Sequence, residues 1–470
     1  MSNVIGTSIS QQPSNISSIL DKQTTTHNET VGEQAATVPI TDSADAEKQE
    51  VTSDDTSEGE DSIKTYPEGD LRSWLVVAGG ALIMAMSFGM INTYGIYQTY
   101  YETRYPHIDS NTLAIIGALQ AALSYLVAIP ATVIMHYTGP QLLVFIGGLI
   151  SCLSFMFLSI SNSPWQLFII QGLMFGIGSG SMYIQSTGVL YQYFDKKKAL
   201  ATGLITAGSS CAGVYWPIGV RNLISKVGFA WANRIVGFLY IPMFLSATYL
   251  LKPRFPPVPR KPGQNILRIN FKVLKDWRFE LVNLGNFFAL LGLFPGLFYI
   301  DLFCERLSIS PTIKEYNVTI LNASSLFGRI IPGLLGDRFG RMNTLIPCLI
   351  VAGVIPMALW IPARSDGAVL AFVIIWGFTS GVFASLFPAI MGQICPAKDI
   401  SSYLAIFFGT SSIAALVGPI IGGVFIPKGD VDGVDGFDKL GIFVGVFILG
   451  SAVVIALLRT AYTKKLFTII

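Results

Sequence analysis

The chain has 470 residues, is 51% hydrophobic and 13% charged, and carries a formal net charge of +2 with a mean hydropathy of +0.56. Soluble globular domains carry about 25% charged residues, so this composition excludes an ordinary soluble fold. The near-neutral balance gives no electrostatic basis for a nucleic-acid partner.

Residues 1–66 are rich in Ser, Thr, Asp, Glu and Gln and poor in large apolar side chains. Such a segment cannot bury enough surface to fold, and we expect a disordered cytoplasmic tail. Ser53, Thr56 and Ser57 lie among Asp54, Asp55, Glu58, Glu60 and Asp61. Two readings are open there, an acidic-directed kinase site or a solvated tail without a switch. The Asn28-Glu29-Thr30 sequon would stay unmodified on the cytoplasmic side. From the polar start we expect no cleavable signal peptide, with the first apolar run acting as the targeting signal.

Twelve apolar runs follow, near residues 74–98, 112–136, 141–160, 165–190, 199–222, 229–251, 280–304, 315–336, 343–362, 367–391, 400–425 and 438–461. Each is close to the roughly 20 residues that a helix needs to cross a bilayer. The expected fold is therefore all-α, with twelve transmembrane helices. The longest interior polar segment, 252–278, holds Lys252, Arg254, Arg260, Lys261, Arg268, Lys272, Lys275 and Arg278 and a proline cluster. It reads as a cytoplasmic linker between a half at 67–251 and a half at 279–470. Placing Lys196, Lys197, Lys198, the linker, Arg338, Arg341, Lys398, Lys464 and Lys465 inside follows the positive-inside rule, with both termini cytoplasmic.

An internal repeat supports two pseudo-symmetric six-helix halves. Ile169-Ile170-Gln171-Gly172, with Gly176 and Gly180, parallels Ile374-Ile375-Trp376-Gly377, with Gly381 and Ser385. Gly208-Ser209-Ser210 followed by Pro217 parallels Thr410-Ser411-Ser412 followed by Pro419 at the same interval. Runs four and five thus correspond to runs ten and eleven. In that plan the substrate binds between the halves near the midplane. The five cysteines (Cys152, Cys211, Cys304, Cys348, Cys395) lie in or beside apolar runs without metal-ligand spacing and read as small packing residues.

The stretch 193–213, YFDKKKALATGLITAGSSCAG, joins a charged turn to an apolar run with a small-residue face. Gly203, Gly208 and Gly213 on that face would let a neighbouring helix approach closely, where lipid supplies no hydrophobic drive. Residues 333–341, GLLGDRFGR, form a glycine turn bearing Asp337, Arg338 and Arg341, between Gly333 and Gly340. Residues 67–74 read PEGDLRSW, and 92–103 read NTYGIYQTYYET.

These segments carry a family resemblance. The charged start and glycine-rich run of 193–213 resemble the fifth-helix signature of monocarboxylate-type transporters of the major facilitator superfamily. Residues 67–74 resemble the [DE]G-x-x-x-W signature of the same group, and 92–103 its fungal branch. Residues 333–341 resemble the superfamily's GxLaDRxGR loop, which implies that Asp337, Arg338 and Arg341 gate one access state rather than touch substrate. The matching first-half loop, His136-Tyr137-Thr138-Gly139-Pro140, lacks the Asp and Arg, so any gating network there is asymmetric.

Asn322, Ser325 and Arg329 share one face of run eight. An arginine inside a span is a functional candidate, and its guanidinium suits a carboxylate; the resemblance implies carboxylate binding at Arg329. A structural arginine, satisfied by carbonyls or Asp337, is the other reading. Lactate carriers have an Asp where this chain has Ser325 and a Lys where it has Asn92, so their proton-coupling pair is missing. Asp301 and Glu305 are other acids that could carry a proton, or interfacial residues. His107 and His136 read as surface histidines. Asn283, Asn286, Gln120, Gln171 and Gln185 either line the cavity or bond neighbouring helices.

Gly418-Pro419 with Gly422 and Gly423 looks like an antiporter motif but lies in run eleven. Glycines 172–180 lack the strand–helix context of a nucleotide loop. No Walker sequence, metal cluster or nucleophile motif supports an ATP-driven pump, a cofactor or an enzyme. The expected function is a secondary or facilitative transporter of a small organic solute, a carboxylate or related metabolite, with a proton as a candidate co-substrate. Uptake of a nutrient and export of a biosynthetic product both remain open. The plasma membrane is the default location, with the vacuolar membrane as the alternative. A reading from another class is a transport-inactive sensor that signals through its acidic tail.

Overall fold

The computed structural model describes residues 67–108, 110–255, 271–395, 400–426 and 436–462. The tail with Ser53, Thr56, Ser57 and the Asn28 sequon lies outside the described residues, as do linker residues 256–270. Among the described residues there is no strand.

Every long apolar run is a helix, because in lipid only a helix satisfies its own backbone without an edge. The helices are α1 (Leu71–Arg104), α2 (Thr112–Met135), α3 (Pro140–Leu158), α4 (Pro164–Leu190), α7 (Trp277–Arg306), α8 (Pro311–Phe339), α9 (Arg341–Trp360), α10 (Asp366–Ile394), α11 (Ser402–Phe425) and α12 (Phe437–Tyr462). Between α4 and α7 lies a helical stretch of 53 residues, Lys198–Leu250, so the described residues hold 11 apolar helices by unbroken run. At about 1.5 Å per residue that stretch is roughly 80 Å long, far more than the bilayer core of about 30 Å. It is broken at Gly228, whose φ of 78° and ψ of 165° are not helical. The left-handed φ suits glycine. We therefore divide the stretch into α5 (198–227) and α6 (229–250), which gives twelve crossings. Their outer faces carry exposed apolar side chains such as Phe238, Val446 and Leu457.

Connections fix the direction of each crossing. The linker end of the bundle carries the start of α1, the α4–α5 turn, residues 251–255 and the α8–α9 turn. The opposite, far end carries the α1–α2, α5–α6 and α7–α8 turns. Helix α8 packs on α5 and α10, α5 also packs on α1, and α2 packs on α11. The α5–α8 seam and the α2–α11 contact join the first half to the second.

Small residues make the seams close. A side-chain carbon at Gly203 would meet the Arg329 carbonyl oxygen of α8, and one at Gly213 would meet the Asn322 amide. At Gly208 it would meet the Ala81 carbonyl of α1. Gly333 faces the Ala199 carbonyl oxygen, 2.9 Å from where a Cβ would stand. Thus Gly203, Gly213 and Gly333 line the α5–α8 seam, and Gly208 lies on the α1 side of α5.

Candidate functional site

A central cavity lies between the halves, and a cluster of aromatic rings forms part of its wall: Phe88, Tyr125, Tyr183, Phe294, Phe407 and Phe408 all face it. Tyr183 and Phe408 are 4.8 Å apart between ring centroids, and Phe88 and Tyr125 5.0 Å. Tyr125 stacks on Phe408 at 5.9 Å. Helices α1, α2 and α4 of the first half thus meet α11 of the second across the cavity.

Arg329 of α8 is the cation on this wall. Its Nε donates to Ser325 Oγ at 3.3 Å. Its Nη1 donates to the Thr206 carbonyl and to Ser209 Oγ, both on α5 in the other half. The guanidinium is therefore part of the seam and part of the cavity wall at once. Ser209 has its repeat partner Ser411 on the same cavity, where Ser411 Oγ accepts from Asn286 Nδ2 at 2.8 Å. The serines of the two repeats face one space.

Asn92 and Asn322 bridge the halves directly, with Asn92 Nδ2 donating to Asn322 Oδ1 at 3.1 Å. Ser325 receives a hydrogen bond from Ser210 Oγ at 3.3 Å. Arg329, Ser325, Asn322 and Asn92 therefore lie along one seam. Asn92 also lines a second space that opens toward the far end, beside Gln98, Arg221, Asp301 and Glu315. Asn92, Phe294 and Leu297 border both spaces, so the cavity and this vestibule adjoin.

The linker end is closed by charge. Asp337 accepts from the backbone N–H groups of Ala199 at 3.0 Å and Leu200 at 2.8 Å. These are orphan donors at the start of α5, and an anion there also opposes the helix dipole. Arg341 binds the Asp337 carboxylate at 3.1 Å, the Asp195 carbonyl at 2.9 Å and Gln393 Oε1 at 3.3 Å. Lys198, only 4% exposed, reaches across the halves to the Gly392 carbonyl at 3.0 Å and stays paired with Asp195 at 3.3 Å. Burial raises the pKa of Tyr191, which keeps its phenol neutral beneath the Lys198 ammonium at 5.4 Å. Gly340, at φ 96°, makes the turn into α9, and Gly139, at φ 79°, makes the same turn in the first half. Arg338 stands apart, exposed over the Phe339 ring.

The other polar candidates separate by partner. Asn283 accepts from Thr410 Oγ1 at 2.5 Å, and Gln171 accepts from the Tyr101 hydroxyl at 2.5 Å, so both tie helices together. Gln185 is buried with neither amide atom partnered, and Gln120 Oε1 is likewise unpartnered, among the described residues. Glu305 and His107 are exposed, and the side chain of His136 lies outside the described residues.

Three features were not read from the sequence. The aromatic wall gave no signal, because in an apolar span a ring facing a cavity looks like one facing lipid. Lys198 was counted as a topological charge but is buried in the closure. Glu68 accepts hydrogen bonds from the Asp195 and Lys196 N–H groups, and Trp74 packs edge-on to Phe194 at 5.4 Å. The segments 67–74 and 193–213 thus dock on each other.

A sequence profile described as Major Facilitator Superfamily matches residues 77–303 and 281–467. The chain belongs to that superfamily. It is a multi-pass membrane transporter and not an enzyme. It is 32% identical over 407 residues to the MFS transporter asaE of Aspergillus flavus, covering 86% of this chain and 90% of that one. It is 30% identical over 412 residues to the agnestins efflux protein AgnL12 of Paecilomyces divaricatus, covering 87% and 92%. The human organic anion transporter MFSD10 (TETRAN) shares the fold with a TM-score of 0.63, at 14% identity, over 82% of this chain and 99% of that one.

Proposed function

We propose that this transporter exports an amphipathic organic anion, with an acidic group and an apolar, ring-bearing body, by alternating access between its two halves. The observation that carries this reading is Arg329, a guanidinium on the wall of a cavity that also presents several aromatic rings. Aromatic faces suit flat apolar bodies, and a guanidinium suits a carboxylate or enolate. The resemblance to monocarboxylate-type transporters points the same way, as do relatives named as efflux proteins for agnestins, aspyridones and fujikurins. In this reading the cargo is a secondary metabolite, and the linker end with both termini faces the cytoplasm of a cell whose plasma membrane holds the protein. Asp337, Arg341 and Lys198 form the inner gate.

The test compares metabolites in cells and medium for a deletion strain and for strains restored with wild type, Arg329→Lys or Arg329→Ala. An acidic compound should build up inside the deletion strain and vanish from its medium. Removing one partner of a buried charged contact costs about 2–5 kcal/mol, so Arg329→Ala at equal surface expression should cut export at least about tenfold. Export at the wild-type rate by Arg329→Ala, or a compound left unconsumed in the medium, would refute the reading.

A further inference from the structure

In the far vestibule an acid and an amide face each other in an unusual state. Asp301, one turn beyond Leu297 on α7, borders the vestibule. Its Oδ1 accepts from Asn317 Nδ2 of α8 at 2.8 Å. The second hydrogen of that amide goes to the Lys314 carbonyl at 2.7 Å. Both donors of Asn317 are therefore used, and turning the amide over would set oxygen against oxygen. Asn317 is 0% exposed, and its Oδ1 is buried with no partner among the described residues. An orphaned buried acceptor of this kind costs about 1–3 kcal/mol.

The charges around Asp301 do not supply a counter-ion. On its own helix stands Glu305, on α1 Glu102, and on α5 Arg221. Arg221 is engaged by Glu315 of α8 at 3.2 Å, and Lys314 of α8 donates to the Glu305 carbonyl. Among the described residues Asp301 makes no ion pair. A carboxylate in a membrane span without a cation is costly. A protonated carboxyl carries one O–H donor, and the amide that already donates to Asp301 holds a vacant acceptor, Asn317 Oδ1. Acid and amide would then bond reciprocally.

We propose that Asp301 and Asn317 form the proton-binding site that couples this transporter to a proton gradient. A proton leaves a vestibule hydronium, an O–H bond forms at Asp301, a water molecule remains, and the carboxylate charge is cancelled. Because Phe294 and Leu297 border both spaces, the site adjoins the cavity that holds the cargo. In the state described, with the linker end closed, that proton comes from the far side, which suits exchange of an inbound proton for an outbound solute. This step rests on the transporter reading above.

Infrared difference spectra of the full-length protein in nanodiscs, titrated with pH, would read the site without any cargo. We expect a carboxylic C=O band that titrates in wild type, persists in Glu102→Gln and Glu305→Gln, and disappears in Asp301→Asn. Asp301→Glu should restore a band at a shifted position, which guards against misfolding of the amide variant. Asn317→Ala should move the band to higher frequency through the lost hydrogen bond. An unchanged band in Asp301→Asn, or its loss in Glu305→Gln instead, would overturn the proposal. Normal export by Arg329→Ala would overturn only the cargo reading, since it leaves this band untouched.

Discussion

The two ends of the α5–α8 seam are joined by the same chemistry with very different weight. At the linker end, Arg341 and Asp337 are 9% and 12% exposed in their side chains and share their bonds with two backbone amides, a carbonyl and a glutamine. At the far end, Arg221 and Glu315 pair at 3.2 Å but stand 43% and 47% exposed beside the open vestibule. A buried pair loses more when one member is removed than it contributes when whole, because the survivor is stranded. An exposed pair is solvated either way. The comparison teaches that in this state the linker-end pair is the buried, multiply bonded one and the far-end pair the solvated one.

The sharpest way to break the contrast is Asp337→Ala. It strands Arg341 and uncaps α5 in one change. The expected cost is about 3–5 kcal/mol against the closed linker end. Transport should fall to background, and a cysteine placed at Ser385 on the buried face of α10 should become reactive from the linker side. Unchanged reactivity would remove Asp337 from the gate.

Next comes Gly333→Val. Its Cβ would stand 2.9 Å from the Ala199 carbonyl of the other half. Overpacking typically costs about 1–3 kcal/mol. The linker end should therefore be wedged, with transport reduced by roughly tenfold and surface expression kept. The same substitution at Gly188, where a Cβ meets nothing within 4 Å, serves as the control.

Lys198→Met tests a single bond of the closure. It removes the ammonium that reaches the Gly392 carbonyl and leaves a chain of similar length. A hydrogen bond to a charged group contributes about 1.5–3 kcal/mol, partly offset here by relief of a buried charge. Transport should fall several-fold without changing which compounds accumulate. A change in cargo selectivity would place Lys198 at the cavity rather than the gate.

Much of this architecture was legible beforehand, and the exceptions have physical causes. The all-helical membrane fold follows from hydropathy, because lipid demands apolar helical spans. The repeat paired runs five and eleven without marking Ser209 and Ser411, which line one cavity. Arg329 stood out because charge inside a span is rare. Aromatic wall residues carried no comparable mark. The burial of Lys198 against Gly392 had no mark in the sequence, because a lysine before a span looks the same whether it is solvated or buried. Glu68 and the Asp195 turn are 127 positions apart, a distance over which sequence pattern alone gives no pairing.

Arg221→Ala should have the smallest effect, and it is the control on which the contrast depends. Exposed ion pairs contribute about 0–1 kcal/mol and are screened by salt. The predicted change in transport is within about twofold, and it should shrink further in high-salt buffer. If Arg221→Ala instead matched Asp337→Ala in size, the far-end pair would be a gate of equal strength, and the seam would have to lock at both ends in turn. The double variant separates the cases. Two groups at opposite ends of one seam, without a shared partner, should contribute additively. Departure from additivity would mean that closing one end is felt at the other through α5 and α8 as rigid levers, which is what alternating access requires of the helices that join the two halves.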